Sequence, residues 1–377
     1  MGAGPTGTTA AIMLAQRGIG CLVLERWPEP YPLPRAVHFD DEVYRVLAGL
    51  GIGAGLRAIS RPAAGMQLVD AGLRVLAQFD RAEQGGVHGY PQANMFHQPD
   101  LEHLLRARLA ELPQVELRGG VEVYAIDQPP DGPAPVRVRY RDPASGADRT
   151  VWTDAVLGCD GANSTTRTCL GGDLADLGFT QQWLVVDVDS PQPLPLYGGV
   201  QQVCDPDRAA TVMLVTPGRY RWEFRLPPGE LDDARVRALI RPWLGGTDPQ
   251  TVTVVRRTWY TFRGALARRW QDRRVFLLGD AAHLTPPFTG QGMCAGIRDA
   301  ANLTWKLALV LTGRAEDRLL WTYEAERRPY ARHVIRMAML AGWLITGGTA
   351  RTATLRRGAM RALARLPGTE RKVLDVA

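Results

Sequence analysis

The residues in this chain whose types and spacing could do chemistry are glycines and acids. Gly279-Asp280 is followed by Pro286-Pro287 and then by Gly290-Gln291-Gly292. Gly2, Gly4 and Gly7 open the chain in a G-x-G-x-x-G pattern, and Glu25 closes the next apolar run. Asp160-Gly161 forms a third pair. Such sets hold a ligand rather than attack one. A glycine turn lets the backbone approach a pyrophosphate or a flat ring, and a helix start offers unpaired N–H groups and a partial positive charge. A carboxylate at a strand end accepts from a ribose or ribityl hydroxyl, which suits Glu25 and Asp280. A dinucleotide-like cofactor is the expected ligand, and no metal-ligand spacing accompanies it.

Each set must be carried by a strand, a loop and a helix. Residues 275–278 are a short apolar run broken at Gly279, and a Pro/Gly-rich loop follows to Gly292. From Met293 onward Ile297, Ala300, Ala301, Trp305 and Leu307 return at helical spacing. The opening glycines run into a helix over 8–17 and a strand over 21–24, and residues 155–159 end at Asp160-Gly161 before Ser164 and Arg167 start a helix. Three such units predict an α/β, Rossmann-like domain on a parallel sheet. One strand is in question. Only Met1 precedes Gly2, where this turn normally follows a buried strand. Either the first strand lies upstream of Met1, which is the favoured reading, or the sheet lacks it.

The three motifs, in this order, resemble those of the FAD-dependent aromatic hydroxylases, the class A flavoprotein monooxygenases. Pro34-Arg35-Ala36 with Asp40-Asp41-Glu42, Gln182-Trp183 with Asp187, and Trp259-Tyr260-Thr261 resemble its 3-(3-hydroxyphenyl)propionate hydroxylase branch. The resemblance implies FAD as cofactor, held by Gly2, Gly4, Pro5, Thr6, Gly7, Glu25, Arg26, Arg35, Gln98, Asp160, Asp280, Pro287, Gly290, Gly292 and Met293. Within that set, Asp280 would bind the ribityl chain, Pro287 would lie at the oxygen-reacting edge, and the amides of Gly292 and Met293 would face the pyrimidine end. Gln98 would reach the phosphate or ribityl region, although a helix-capping role is its plainer reading. NADH or NADPH would serve as transient reductant and O2 as co-substrate. The implied substrate is a small phenolic aromatic, hydroxyphenylpropionate-like or a polyketide phenol.

Residues 181–269 change texture into strand-like runs separated by Pro/Gly turns, which predicts a mainly antiparallel sheet laid over the flavin. The expected division is a discontinuous FAD-binding domain over 1–70, 90–170 and 270–377, ending in C-terminal helices, and a substrate-binding β-sheet domain over 71–89 and 171–269. Met213, Trp222, Tyr260 and Phe288 are candidate substrate walls, each also readable as plain core. His38, Tyr260 and Pro287 are the candidate catalytic residues, with His283 a weaker candidate base, and no residue stands out as the base that would deprotonate a phenol. The resemblance also covers relatives with a further thioredoxin-like domain after this point, which is not expected in this chain.

The 377 residues carry a formal net charge of +6, and all but two of the 45 Lys and Arg residues are arginine. These arginines are interleaved with 39 acids and form no basic run, which argues against nucleic acid as partner. Five widely spaced cysteines fit a reducing compartment, and no apolar run is long enough to span a bilayer, so a cytoplasmic enzyme is expected. The oligomeric state stays open, a homodimer included. So do three rivals: a reductase or epoxidase on the same fold, an ordinary nicotinamide dehydrogenase, and a catalytically silent flavin-binding homologue.

Overall fold

The computed structural model of the chain describes residues 1–83, 85–129 and 135–347. The Arg-rich stretch expected to be helical near the C-terminus lies outside them.

The cofactor half is built on two short parallel ladders. Cys21–Leu24 pairs with Val115–Arg118, and Val156–Gly158 pairs with Val275–Leu277. Between them, where the first strand of such a sheet belongs, only Met1 to Ala3 enter. The Met1 amino group donates to Leu157 O at 2.7 Å, Cys159 N donates to Met1 O at 2.8 Å, and Gly2 N donates to Leu24 O at 2.8 Å. Below these three bonds lies a cavity of about 500 Å³, lined by Leu14, Leu22, Val23, Val156, Leu157 and Leu311 among others. Among the described residues no strand lies between the two ladders, as both readings of the opening expected.

The helix Pro5–Ala15 follows at once, with Pro5 at its start and Ala10, Ala11, Ile12 and Leu14 buried. Proline suits a first turn because its missing N–H has no helical partner there. Two glycines make the turn sterically feasible. Gly2 has φ +89°, and a Cβ on Gly7 would overlap the Gly2 carbonyl oxygen. The Gly292–Leu311 and Arg318–Thr346 helices pack behind this domain. Among the described residues no helix is long and apolar enough to cross a membrane.

Residues 115–127 make two strands, Val115–Arg118 and Glu122–Asp127, because Gly119-Gly120 turn the chain with Gly120 at φ +73°. A hairpin follows, with Val136–Asp142 antiparallel to Ala147–Thr153 around Gly146.

The second half is an eight-stranded sheet. Its order is His283–Leu284, Thr253–Ala267, Leu174–Asp189, Arg219–Phe224, Ala210–Thr216, Val200–Val203, Gly65–Val69, Val75–Asp80. All neighbours are antiparallel except Val200–Val203 with Gly65–Val69. Gly65–Val69 and His283–Leu284 had been expected in the cofactor domain, yet they pair here, so the sheet starts before residue 71 and reaches beyond 269. The two faces differ by the strand period of two. Tyr220, Trp222 and Phe224 point into a core with Val186, Val212 and Trp243, while Arg221 and Glu223 take the opposite face, toward the cofactor domain.

Candidate functional site

Two cavities meet at the start of the Pro5–Ala15 helix, and one of them reaches under the large sheet. One, of about 180 Å³, is lined by Gly2, Glu25, Arg26, Glu102, Arg106 and Asp160 among others. The other, of about 350 Å³, is lined by His38, Met213, Glu223, Asp280, Pro287 and Phe288 among others. They share Gly4, Pro5, Arg35, Gln98, Cys159 and Gly161, so they form one elongated slot. Gly4, Asp160 and Asp280, far apart in sequence, converge on it. A wider groove of about 780 Å³ between residues 269–273 and the last helix shares no lining residue with the slot.

The narrow end is built for a phosphate and a sugar. A Cβ on Gly4 would meet nothing within 4 Å inside the chain, so this backbone faces open space at the start of the Pro5–Ala15 helix. Glu25 Oε2 accepts from Ala3 N at 2.6 Å and Oε1 from Trp27 N at 3.0 Å, which fixes the carboxylate at the slot and leaves further lone pairs for hydroxyls. Asp160 lines this end, but its carboxylate accepts from Ser164 Oγ at 2.5 Å, Thr166 N at 2.8 Å and Thr166 Oγ1 at 2.9 Å. It chiefly shapes the turn that presents Gly161.

The wide end is formed by the Gly279-Asp280 loop and the 285–293 loop. Burial pushes the Asp280 carboxyl above its usual range. Gly290 has φ +68°, and a Cβ there would stand 2.8 Å from His38 Nδ1. Burial, chiefly, lowers the His38 pKa to about 4, so its imidazole is neutral. His38 Nδ1 and Thr289 Oγ1 line this end, buried and without a hydrogen-bond partner among the described residues. The slot thus has open glycine backbone, carboxylates at both ends and unpartnered polar atoms, a donor set that fits a phosphorylated, polyhydroxylated cofactor with a flat ring. A Cβ on Gly292 also meets nothing within 4 Å, leaving room against the helix start where Met293 lies.

Several expected residues lie elsewhere or act differently. Trp222 is fully buried on the far face of the large sheet, because even and odd positions of Arg219–Phe224 point opposite ways, and it does not line the slot. Tyr260 accepts from Arg256 Nη2 at 3.1 Å at the sheet's base and does not line it either. His283 is fully buried, with Nε2 2.7 Å from Asp299, so it is no base for a ligand in the slot. Gln98 lines both cavities, yet its Oε1 accepts from Arg35 N at 2.9 Å and Ala36 N at 2.7 Å, and its Nε2 donates to Glu102 at 2.7 Å. It holds the Arg35 loop in place. Met213 and Phe288 do line the wide end.

Sequence reading missed the groups that fix these loops. Arg221 pairs with Asp187 at 2.7 Å and donates to Pro34 O at 2.8 Å and Arg35 O at 3.0 Å, while Arg256 donates to Pro34 O at 2.7 Å. The sheet therefore grips the loop that carries Arg35. Asp40 caps Val43 at 2.9 Å and accepts from Gln291 at 3.0 Å and Arg298 at 2.8 Å. Burial works against ionisation of Asp40, but Arg298 holds its carboxyl below the usual range. The signal in each case is an Arg or Asp inside an apolar run, where a charge needs a partner.

Residues 1–338 match the family described as FAD binding domain. The chain belongs to that family. FAD is its cofactor, in keeping with the slot. The chain is 38% identical over 347 residues to a probable NADH-specific resorcinol 4-hydroxylase of Rhodococcus jostii (strain RHA1), covering 91% of this chain and 64% of that protein. It is 34% identical over 388 residues to a 3-(3-hydroxy-phenyl)propionate/3-hydroxycinnamic acid hydroxylase of Mycobacterium sp. (strain KMS), covering 100% of this chain and 64% of that protein. The chain thus spans just under two thirds of the length of these relatives. Among solved structures, the anhydrotetracycline hydroxylase of Streptomyces rimosus superposes with a TM-score of 0.81 at 31% identity, covering 100% of this chain and 74% of that one. The aromatic hydroxylase fold and the likeness to the hydroxyphenylpropionate branch are as the motifs implied.

Proposed function

We propose that the chain is an NAD(P)H-dependent FAD monooxygenase that hydroxylates a phenolic ring. The observation that carries this reading is the single slot, with dinucleotide-holding residues at one end and a pocket under the large sheet at the other. Gly2, Gly4, Pro5, Thr6 and Gly7 would hold the pyrophosphate, Glu25 with Arg26 the adenosine ribose, and Asp280 the ribityl hydroxyls. Arg35, Gly290, Gly292 and Met293 would border the ring, with Pro287 at its reactive edge. FAD, when bound, takes reducing equivalents from a nicotinamide and activates O2. The protein's own part is placement and exclusion of water. Met66, Met95, Met213 and Phe288 make the far end of the slot apolar, which suits an aromatic ring.

The hydroxylase names of the relatives point to resorcinol or 3-(3-hydroxyphenyl)propionate as first substrates to try, with polyketide phenols next. NADH is the first reductant to compare with NADPH. A cytoplasmic setting and pairing with a second copy belong to the same reading. The test is turnover by FAD-loaded protein with NADH or NADPH, O2 and each phenol, with product identified by mass. A hydroxylated product supports the reading. Nicotinamide oxidation with no oxygenated product from any phenol would replace it with a reductase.

A further inference from the structure

Across the large sheet, Gln202, Thr211 and Glu223 lie in one row: Gln202 is opposite Thr211, and Thr211 is opposite Glu223. All three line the wide end of the slot. Thr211 Oγ1 donates to Gln202 Oε1 at 2.7 Å, so those two satisfy each other. Glu223 is 8% exposed, and among the described residues no group donates a hydrogen bond to its carboxyl and no cation is paired with it. Its cationic neighbours are engaged elsewhere, Arg221 with Asp187 and the Pro34-Arg35 carbonyls, and Arg256 with Pro34 O and Tyr260. The Glu223 carboxyl oxygens open onto the slot, where a bound ligand can supply the donor that the protein does not.

We propose that Glu223 accepts the hydrogen bond of the substrate's phenolic hydroxyl and takes its proton as oxygen is delivered to the ring. This rests on the hydroxylase reading. In this step the phenol O–H bond breaks, its electron pair stays on the phenol oxygen, and a new O–H bond forms on Glu223. The ring gains electron density at the carbon ortho to that oxygen, where one atom of O2 is added. The other oxygen atom leaves as water, with two electrons from NAD(P)H. The ring carbon then loses its proton to that departing oxygen, whose other hydrogen comes with the hydride of NAD(P)H. One proton from solvent completes the new hydroxyl, and Glu223 returns its own proton to the phenol oxygen, so the group ends as it began.

Other titratable groups line the wide end: His38, Arg35, Arg81, Asp280 and Cys159, whose thiol is pushed by burial up to about 12, too high to serve as a base. Arg35 and Arg81 are cations and cannot serve as bases, and Asp280 belongs to the cofactor-holding loop. His38 is neutral but a weak base, its conjugate acid falling at about 4 through burial. Burial pushes the Glu223 carboxyl up to about 7, with Arg221 and Arg256 opposing and Asp187 assisting. A base works best when its pKa lies near the operating pH, which favours Glu223 over His38.

The test uses the FAD-loaded protein. Glu223→Gln should retain wild-type FAD content and continue to oxidise NADH in the presence of resorcinol or 3-(3-hydroxyphenyl)propionate, while product formation falls by about 100-fold. The acid limb near pH 7 in the wild-type kcat/KM profile should vanish, and Glu223→Asp should restore part of it. Without turnover, resorcinol titrated against the oxidised flavin should bind about tenfold more weakly to Glu223→Ala. Product formation by Glu223→Gln within about threefold of wild type, or resorcinol binding unchanged in Glu223→Ala, overturns the assignment while leaving the hydroxylase reading intact. Loss of FAD content in both variants would also overturn it, by showing a structural role. If neither phenol binds or is turned over by the wild type, the hydroxylase reading falls and takes Glu223 with it.

Discussion

Asp299 accepts the backbone N–H of Gly279 at 3.0 Å and stands 2.7 Å from His283 Nε2 with the same oxygen. Its other oxygen accepts from Arg327 Nε at 2.8 Å. One buried carboxylate on the Gly292–Leu311 helix thus fastens the Gly279-Asp280 loop to the last helix. Burial opposes its ionisation, but His283 and Arg327 hold it below the usual carboxylate range.

Replacing Asp299 by Ala should therefore destabilise the fold by about 3–5 kcal/mol, because it leaves a buried guanidinium without its counter-charge and the Arg327 Nε and Gly279 N–H groups without an acceptor. Chemical denaturation of the apo-protein measures it. A loss below about 1 kcal/mol would show that the three partners find other acceptors.

Gly7→Ala should weaken flavin binding before it unfolds the chain. The added methyl would overlap the Gly2 carbonyl and approach Cys159 Cβ at 3.2 Å, forcing apart the turn that faces the narrow end of the slot. At least a tenfold rise in the FAD dissociation constant, about 1.4 kcal/mol, is expected by flavin fluorescence titration. Wild-type affinity would mean that the turn does not touch the cofactor.

The stability of the apo-protein should carry a Glu223 signature of definite sign. A carboxyl raised from 4.5 to about 7 binds its proton more tightly in the folded state. Its contribution is fully favourable below pH 4.5 and is lost as pH rises through about 7, by about 3 kcal/mol. Glu223→Gln should thus raise the apo Tm at pH 8 and leave it nearly unchanged at pH 4.5. His38, with its lowered pKa, acts oppositely, losing stability as pH falls from 6.5 toward about 4. It cancels when variant and wild type are compared at one pH. An equal shift at both pH values would contradict the buried, proton-binding carboxyl.

The cavity between Cys21–Leu24 and Val156–Gly158 should accept a β-strand. Both flanking strands present backbone edges to it, and its lining is apolar, so a Val/Ile-rich extension of about five residues ahead of Met1 should pair on both sides. The expected gain is on the order of 5 °C in Tm, at roughly 2–4 °C per kcal/mol for a chain of this class, with no gain from an equally long Gly/Asp extension. Equal behaviour of the two extensions would show that the slot does not admit a strand.

By itself the sequence determined the turns and acids at the slot, because glycine spacing and a strand-end acid act through the local backbone. Gly2, Gly4, Gly7, Glu25 and the 279–293 loop could be read that way. What lines the wide end of the slot was decided only by tertiary structure. Which face of Arg219–Phe224 meets the slot depends on the register of the sheet, and that register sends Trp222 into the core and Glu223 into the pocket. The grip of Arg221, Asp187 and Arg256 on the Pro34-Arg35 loop spans more than 150 residues of chain, and no local pattern encodes such a contact.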